Sequence, residues 1–168
     1  GFVGIGPNSL QITDYNFDRI ANGASVVAII DSGAAAEAVQ LFDGQDLAFI
    51  HFAPPLDVTV AKTFTFPASA EDRYADLTLL AGSVEGPESG QDPHRPNRLD
   101  VTVNGVTTQF LDPFASVSGF EWDHVVLPRP TDPVILVPAF ATQLTVQAFS
   151  AAPDGDDRLP ASLVWVAA

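Results

Sequence analysis

Apolar and polar residues alternate along most of this chain with a period of two. In the stretch 58–66, valine or phenylalanine takes four of the five even positions, and threonine or alanine takes the odd ones. In 98–103, leucine and valine take the odd positions between polar residues. This alternation is typical of strands with one buried face. Asn104-Gly105 then separates 98–103 from a similar run, 106–110. This dipeptide predicts a type I′ hairpin, because both of its residues tolerate positive φ.

Further strand-like runs follow at short intervals, separated by glycine, proline and aspartate. The runs are Ser9–Tyr15, Ala24–Ile30, Val39–Phe42, Leu47–Phe52, Ala75–Val84, Trp122–Leu127, Thr142–Phe149 and Ser162–Ala167. Ala34–Leu41 is the one stretch with helical character, although its end also suits a strand. About ten short strands predict one all-β domain over 1–168, an antiparallel two-sheet sandwich of jelly-roll or immunoglobulin-like type. Residues 1–6 are expected to form an extended N-terminal arm.

Composition restricts the partners and the location. The chain has 21 acidic and 7 basic side chains, a net charge of −14, and neither cysteine nor methionine. This charge disfavours nucleic acids and anionic membranes, and no apolar run reaches the roughly 18–20 residues of a membrane helix, so we expect no membrane insertion. The acidity itself indicates a solvated surface that keeps copies apart, or alternatively Ca²⁺ binding or a salty environment. A start at Gly1 predicts removal of a signal peptide or longer precursor, and hence a secreted or cell-surface location.

No motif predicts an enzyme. The chain lacks a Gly-x-Ser-x-Gly elbow and a two-histidine metal motif. His51 shares a predicted strand face with Leu47 and Phe49, which is typical of an interior histidine. We therefore expect no catalytic residues.

Clustered carboxylates leave a calcium site open. The preferred ligands are Asp154, Asp156 and Asp157, since Gly155 would let the backbone fold around an ion and Ca²⁺ takes six to eight oxygen ligands. Their spacing differs from that of an EF-hand loop, so the alternative is a solvated acidic turn. No other cofactor is predicted.

Lys62, the one lysine, falls in phase with the apolar residues of its strand. Asp14 is similarly in phase with Leu10 and Ile12. A buried ammonium group is costly unless it is paired. Three interpretations stay open: Lys62 extends its amine to water, forms a buried pair with an acid such as Asp14, or condenses with it into an isopeptide crosslink.

Two further features suggest binding partners. Tyr74 lies in a polar turn and is the candidate for an exposed ring that stacks on a glycan, whereas Trp122 and Trp165 are predicted in the core. At the N-terminus, Phe2, Val3 and Ile5 could lie along the sheet edge of a neighbouring copy, the strand-addition mode of filament subunits. The alternative is that both terminal segments pair within their own domain.

Several stretches, among them 97–108, 121–123, 137–146 and 159–166, resemble the β-sandwich domains of large prokaryotic secreted and cell-surface, adhesin-like exoproteins. The residues 24–31 with 40–44 are similar to the opening half of such domains. The resemblance implies an extracellular structural or adhesive module that contacts its own copies or neighbouring surface proteins, and it transfers no catalytic residue. The alternative function is a carbohydrate-binding module with a structural calcium ion.

Overall fold

The computed structural model describes residues 9, 11, 13, 23–29, 33, 39–84, 94–119 and 121–167. Within these ranges the chain forms strands, turns and loops but no helix, and therefore no helix that could span a membrane. The strands are β1 (Asp43–Ala48), β2 (Lys62–Thr65), β3 (Arg73–Tyr74), β4 (Leu77–Gly82), β5 (Arg98–Val103), β6 (Val106–Leu111), β7 (Trp122–Leu127), β8 (Leu136–Val137), β9 (Gln143–Phe149) and β10 (Leu163–Ala167).

Eight of these strands form two antiparallel sheets, and the other two form a short ribbon. Sheet A has the strand order β1-β10-β4-β7, sheet B has the order β2-β9-β5-β6, and β3 pairs with β8. The inner faces of both sheets contribute to one core, which includes Leu79 and Leu163 from sheet A and Leu99, Phe110 and Val146 from sheet B. The two sheets therefore form a sandwich, and the predicted all-β class is confirmed.

The central hairpin follows directly from its turn residues. The strands β5 and β6 pair in unbroken register from Arg98 opposite Leu111 to Val103 opposite Val106. Between them, Asn104 has a φ of 48° and Gly105 a φ of 78°. These are the positive dihedrals that a type I′ turn requires, so the prediction from Asn-Gly is confirmed.

Other predicted elements are wrong in their limits. The first strand covers 43–48 rather than 47–52, because the chain leaves sheet A after Ala48 and closes a tight loop in which Phe49 N–H donates to Leu56 O over 3.0 Å. Residues 24–29 and 39–42 form no strand. Most of the predicted strand 9–15 and helix 34–41 lies outside the described residues.

The predicted strand 58–66 is shortened by a side chain. Thr59 is fully buried, and its Oγ1 both donates to Ala148 O and accepts from Ala148 N–H, each over 3.0 Å. The Thr59 side chain thus makes hydrogen bonds to β9 that backbone groups would make in a regular strand, and regular pairing begins only at Lys62. As a result Val60, predicted on the buried face, is 62% exposed.

Two buried polar side chains hold the loop between β6 and β7. Asn97 donates from Nδ2 to Phe114 O over 2.6 Å, and its Oδ1 accepts from Phe114 N–H over 3.1 Å. The carboxylate of Asp123 accepts from Ala115 N–H (2.8 Å) and from the Ser118 hydroxyl (3.0 Å). Both Asn97 and Asp123 are completely buried, so their hydrogen bonds fix the loop against the end of the sandwich.

We expect Asn97→Ala to lower the free energy of unfolding by about 2–4 kcal/mol, because the substitution leaves the N–H and C=O of Phe114 buried without partners. Urea denaturation at neutral pH measures the effect. The control is Gln143→Ala at an exposed position, for which a change below about 0.5 kcal/mol is expected. Equal losses of unfolding free energy in Asn97→Ala and Gln143→Ala would contradict the role of Asn97 in holding the loop.

Candidate interaction face

The outer face of sheet B is a mostly polar surface. Since alternate side chains of a strand point to opposite faces, the strands that bury Phe64, Val101 and Val146 turn their other side chains outward. We call this surface the neutral face. It consists of Thr63, Thr65, Arg98, Asp100, Thr102, Thr107, Gln109, Leu111, Gln143, Thr145, Gln147 and Phe149.

The neutral face has no net charge although the chain carries −14. Its two charged residues are Arg98 and Asp100, whose Nε and Oδ1 atoms lie 2.9 Å apart. The two atoms are close enough for an ion pair but are not aligned for a hydrogen bond. The guanidinium of Arg98 also lies over the Phe149 ring, 4.3 Å from its centroid, which is a cation–π contact. The positive charge is thus compensated within the face.

Hydroxyl and amide groups cover the rest of the neutral face. Thr63 and Thr145 on neighbouring strands have their Oγ1 atoms 2.8 Å apart, and so do Thr102 and Thr107. Such cross-strand threonine pairs stabilise the sheet. Each hydroxyl also retains hydrogen-bonding capacity towards solvent. The surface can therefore form hydrogen bonds with a neutral polar partner at several positions.

The four described arginines outside the neutral face bond within the domain. Arg73 donates to Pro67 O over 3.1 Å and Arg95 to Leu159 O over 3.2 Å. Arg129 and Arg158 pair with nearby aspartates. Exposed carboxylates such as Asp76 lie elsewhere on the described surface. The acidic surface and the neutral face are consequently separate regions.

One of the three predicted calcium ligands takes part in an ion pair. Asp156 binds the Arg158 guanidinium through both carboxylate oxygens, and these hydrogen bonds lower the pKa of Asp156 to about 2. Asp154 and Asp157 are exposed. Among the described residues, no group of three acidic or histidine side chains is close enough to hold a metal ion. The calcium site stays a prediction, and Arg158 would compete with an ion for Asp156.

Lys62 is half-buried on β2. It lines a cavity of about 80 Å³ together with Asp43, Asp46 and Trp165. Within the described part of the chain, no acidic oxygen lies within 4 Å of its amine. Asp14 lies outside the described residues, so the buried pair and the crosslink both stay predictions.

Two exposed rings belong to the β3–β8 ribbon or to the residues that follow it. Tyr74 is 71% exposed, and its Cα is paired with that of Leu136. Phe140, just beyond β8, is also 71% exposed and has a φ of 64°, an uncommon conformation for a bulky residue. Its N–H donates to Ser69 O over 2.7 Å, which ties it to the segment before β3. Sequence reasoning missed Phe140, because a local pattern does not reveal a backbone strain imposed by a distant carbonyl.

One groove among the described residues lies at sheet A. This groove of about 1180 Å³ is lined by residues 24–29, by strands of both sheets and by the β3–β8 ribbon, and its lining includes Tyr74, Trp122 and His124. Trp122 is buried, as predicted, and packs with Leu80 in a small hydrophobic cluster beside the main core. Trp165 does lie in the main core, as predicted.

The predicted interior position of His51 is wrong. His51 is exposed, and its ring contacts Phe49 edge-on with the centroids 5.1 Å apart. The prediction assumed a strand through 47–52, but the strand ends at Ala48, and beyond it alternation no longer decides which side chains are buried. The strand-exchange candidates Phe2, Val3 and Ile5 lie outside the described residues.

Comparisons of the chain with protein families, curated proteins and solved structures gave no match.

Asp156→Asn is expected to flatten the acid dependence of stability. The pKa of Asp156 is depressed from its usual 3.8 to about 2 in the folded chain. The stabilisation is therefore present above the unfolded-state pKa and is lost as the pH falls from about 4 towards 2. Urea denaturation between pH 5 and pH 2 measures the slope, with Asp154→Asn at an exposed position as the control. If the free energy of unfolding of Asp156→Asn depended on pH as steeply as that of the wild type, the stabilising role of the Asp156–Arg158 pair would be contradicted.

Proposed function

We propose that this domain is a non-catalytic structural or adhesive module of the cell exterior that makes contact through the neutral face. The observation that carries the proposal is a surface rich in threonine and glutamine, without net charge, on a chain with a net charge of −14. An acidic surface repels acidic partners and further copies. Such a molecule is therefore repelled least at the neutral face, where the charge is compensated. Broad contact at this face suits adhesion.

The positions of the histidines support a non-catalytic role. A hydrolase of the serine type needs a histidine ring within hydrogen-bonding distance of its nucleophile. His94 has its Nε2 atom 3.5 Å from an Asp112 oxygen, and His51 and His124 are exposed. No histidine ring hydrogen-bonds to a hydroxyl group among the described residues. The proposal therefore names no catalytic residue.

The extended form of the proposal is a surface fibre of copies joined by strand addition, with Phe2, Val3 and Ile5 as donor residues. At the other end of the chain, β10 lies between β1 and β4 and pairs with both. This strand is occupied within its own domain, so in a fibre the donated strand would come from another segment. The proposed location remains secreted or cell-surface.

A carbohydrate-binding module is the second candidate, and the exposed rings of Tyr74 and Phe140 favour it. Aromatic rings that face solvent can stack on the apolar face of a sugar. Tyr74 also lines the groove on sheet A beside Arg73 and Asp76, which can hydrogen-bond to hydroxyl groups. A neutral glycan would avoid the repulsion that the acidic surface imposes on anions.

The first test uses beads coated with the domain and envelope fragments from the cells that produce it. Gln143→Glu places an uncompensated charge on the neutral face, and we expect it to reduce bead retention by at least about tenfold. The matched control is Gln45→Glu, the same substitution at an exposed site on sheet A, which should retain beads as the wild type does. Equal retention for both variants, or esterase or glycosidase activity of the wild type, would refute the proposal.

The second test separates the carbohydrate alternative. Phe140→Asn should keep the free energy of unfolding or raise it by up to about 1 kcal/mol, since asparagine tolerates positive φ better than phenylalanine. We expect the wild type to bind no member of a glycan array. Binding that is lost in both Phe140→Asn and Tyr74→Ala would instead establish the carbohydrate function.

A further inference from the structure

An exposed sheet edge presents backbone N–H and C=O groups that can pair with a strand of another molecule. In this sandwich the edge strands are β1 and β7 of sheet A and β2 and β6 of sheet B. The chemistry of these four edges differs. Three carry features that hinder pairing, whereas β6 carries none.

The edge of β2 is closed by an amide side chain. Thr65 N–H donates to Gln40 Oε1 over 3.2 Å, and Gln40 Nε2 donates back to Thr65 O. Since β2 has four residues, this contact occupies the backbone of one of the two that face away from β9. A further strand could bond only to Thr63.

Sheet A closes both of its edges by other means. In β1, Asp43 and Asp46 bring charge, and the register with β10 shifts between them, which twists the edge. In β7, His124 N–H donates to Ser118 Oγ over 3.1 Å, and Trp122 N–H donates to Gly119 O over 3.3 Å. Charges, bulges and occupied donors are devices that prevent edge-to-edge pairing.

The strand β6 is different because no described residue occupies its outward-facing groups. In a two-residue hairpin the residues that flank the turn bond to each other, so Val106 and every second residue after it bond to β5. The bond from Asp112 N–H to Asn97 O (2.8 Å) continues this pattern beyond the strand. Thr107, Gln109 and Leu111 therefore direct their N–H and C=O groups away from the sheet.

Nothing in the described part of the chain covers this edge. All three of these residues have exposed side chains, and no hydrogen bond reaches their backbone from the outside. The strand reads Val-Thr-Thr-Gln-Phe-Leu, with no charge, no proline and no bulge over six residues. Such an edge is a template for strand pairing.

We propose that β6 pairs antiparallel with β6 of a second copy of this chain. The register is centred on Gln109, which lies opposite Gln109 of the second copy, and it sets Thr107 opposite Leu111 of that copy. The three outward residues of each strand then form about six backbone hydrogen bonds across a two-fold axis. The two copies of sheet B become one continuous sheet of eight strands.

Charge favours a second copy at this edge. Two molecules with −14 each repel at long range, but β6 brings no carboxylate to the join, and Asp100 on the adjacent strand is compensated by Arg98. The two-fold axis runs perpendicular to the sheet, so both neutral faces lie on the same side. This inference deepens the proposed adhesive function, on which its biological purpose depends, since the dimer doubles the contact surface.

Sedimentation equilibrium of the full chain tests the pairing over a series of concentrations. The wild type is expected to dimerise, and the dimer should strengthen as salt screens the repulsion between copies. Gln109→Glu places two carboxylates opposite each other at the axis and should weaken the dimer by at least about tenfold. The matched control Gln143→Glu makes the same substitution on the same face, away from the edge, and should leave the dimer unchanged.

Amide hydrogen exchange supplies a second readout that does not depend on a variant. The N–H groups of Thr107, Gln109 and Leu111 should exchange more slowly in wild type at high concentration than at low concentration. Their rates in Gln109→Glu should not change with concentration. Thermal melting of each variant shows that it is folded.

Three outcomes would overturn the pairing. They are a wild type that stays monomeric with concentration-independent exchange, equal weakening by Gln143→Glu, and equal weakening by Val3→Glu, which would place the N-terminal arm at the contact instead. Gln143→Glu is expected to weaken adhesion but not dimerisation. Failure of this inference is therefore separable from failure of the proposed function.

Discussion

The burial of one face of each sheet against the other is the constraint on which the rest of this structure depends. Strand geometry links the two sides of a sheet, because a side chain that enters the core forces its neighbours outward. The same register that buries Leu99 and Val101 presents Asp100 and Thr102 to solvent. The neutral face is thus the reverse side of the core, and its composition is set by the residues that alternate with the buried ones.

Electrostatics then divides the surface. The chain has few cations, and the described arginines are used inside the domain, where they bond to carbonyl groups, aromatic rings or a nearby aspartate. Most exposed carboxylates of the described residues have no such compensation, so repulsion between molecules acts over much of this surface. The ion pair of Arg98 and Asp100 removes this repulsion from the neutral face. In the adhesive function that we propose, charge would therefore direct contact to this side of the sandwich.

The strand edges determine where a second molecule could pair with the sheet. Two of the closed edges depend on side chains from other segments, with Gln40 bonded to Thr65 of β2 and Ser118 bonded to His124 of β7. The edge of β6 has no equivalent contact among the described residues. A protein that protects most of its edges and leaves a long, uncharged one open has a directional surface for association.

The sequence by itself determined the local elements: the β5–β6 hairpin, the strands β4, β7, β9 and β10, the all-β class and the acidic character. Alternation and turn residues act within a few positions, so these features can be predicted without knowing the fold. Tertiary structure decided where β1 ends, how Thr59 replaces part of a strand ladder, and which face collects the threonines. It also placed Phe140 in a strained exposed position and gave Asp156 its partner. These features depend on which distant backbone groups and side chains the packed sheets bring together, and a one-dimensional pattern holds no record of those neighbours.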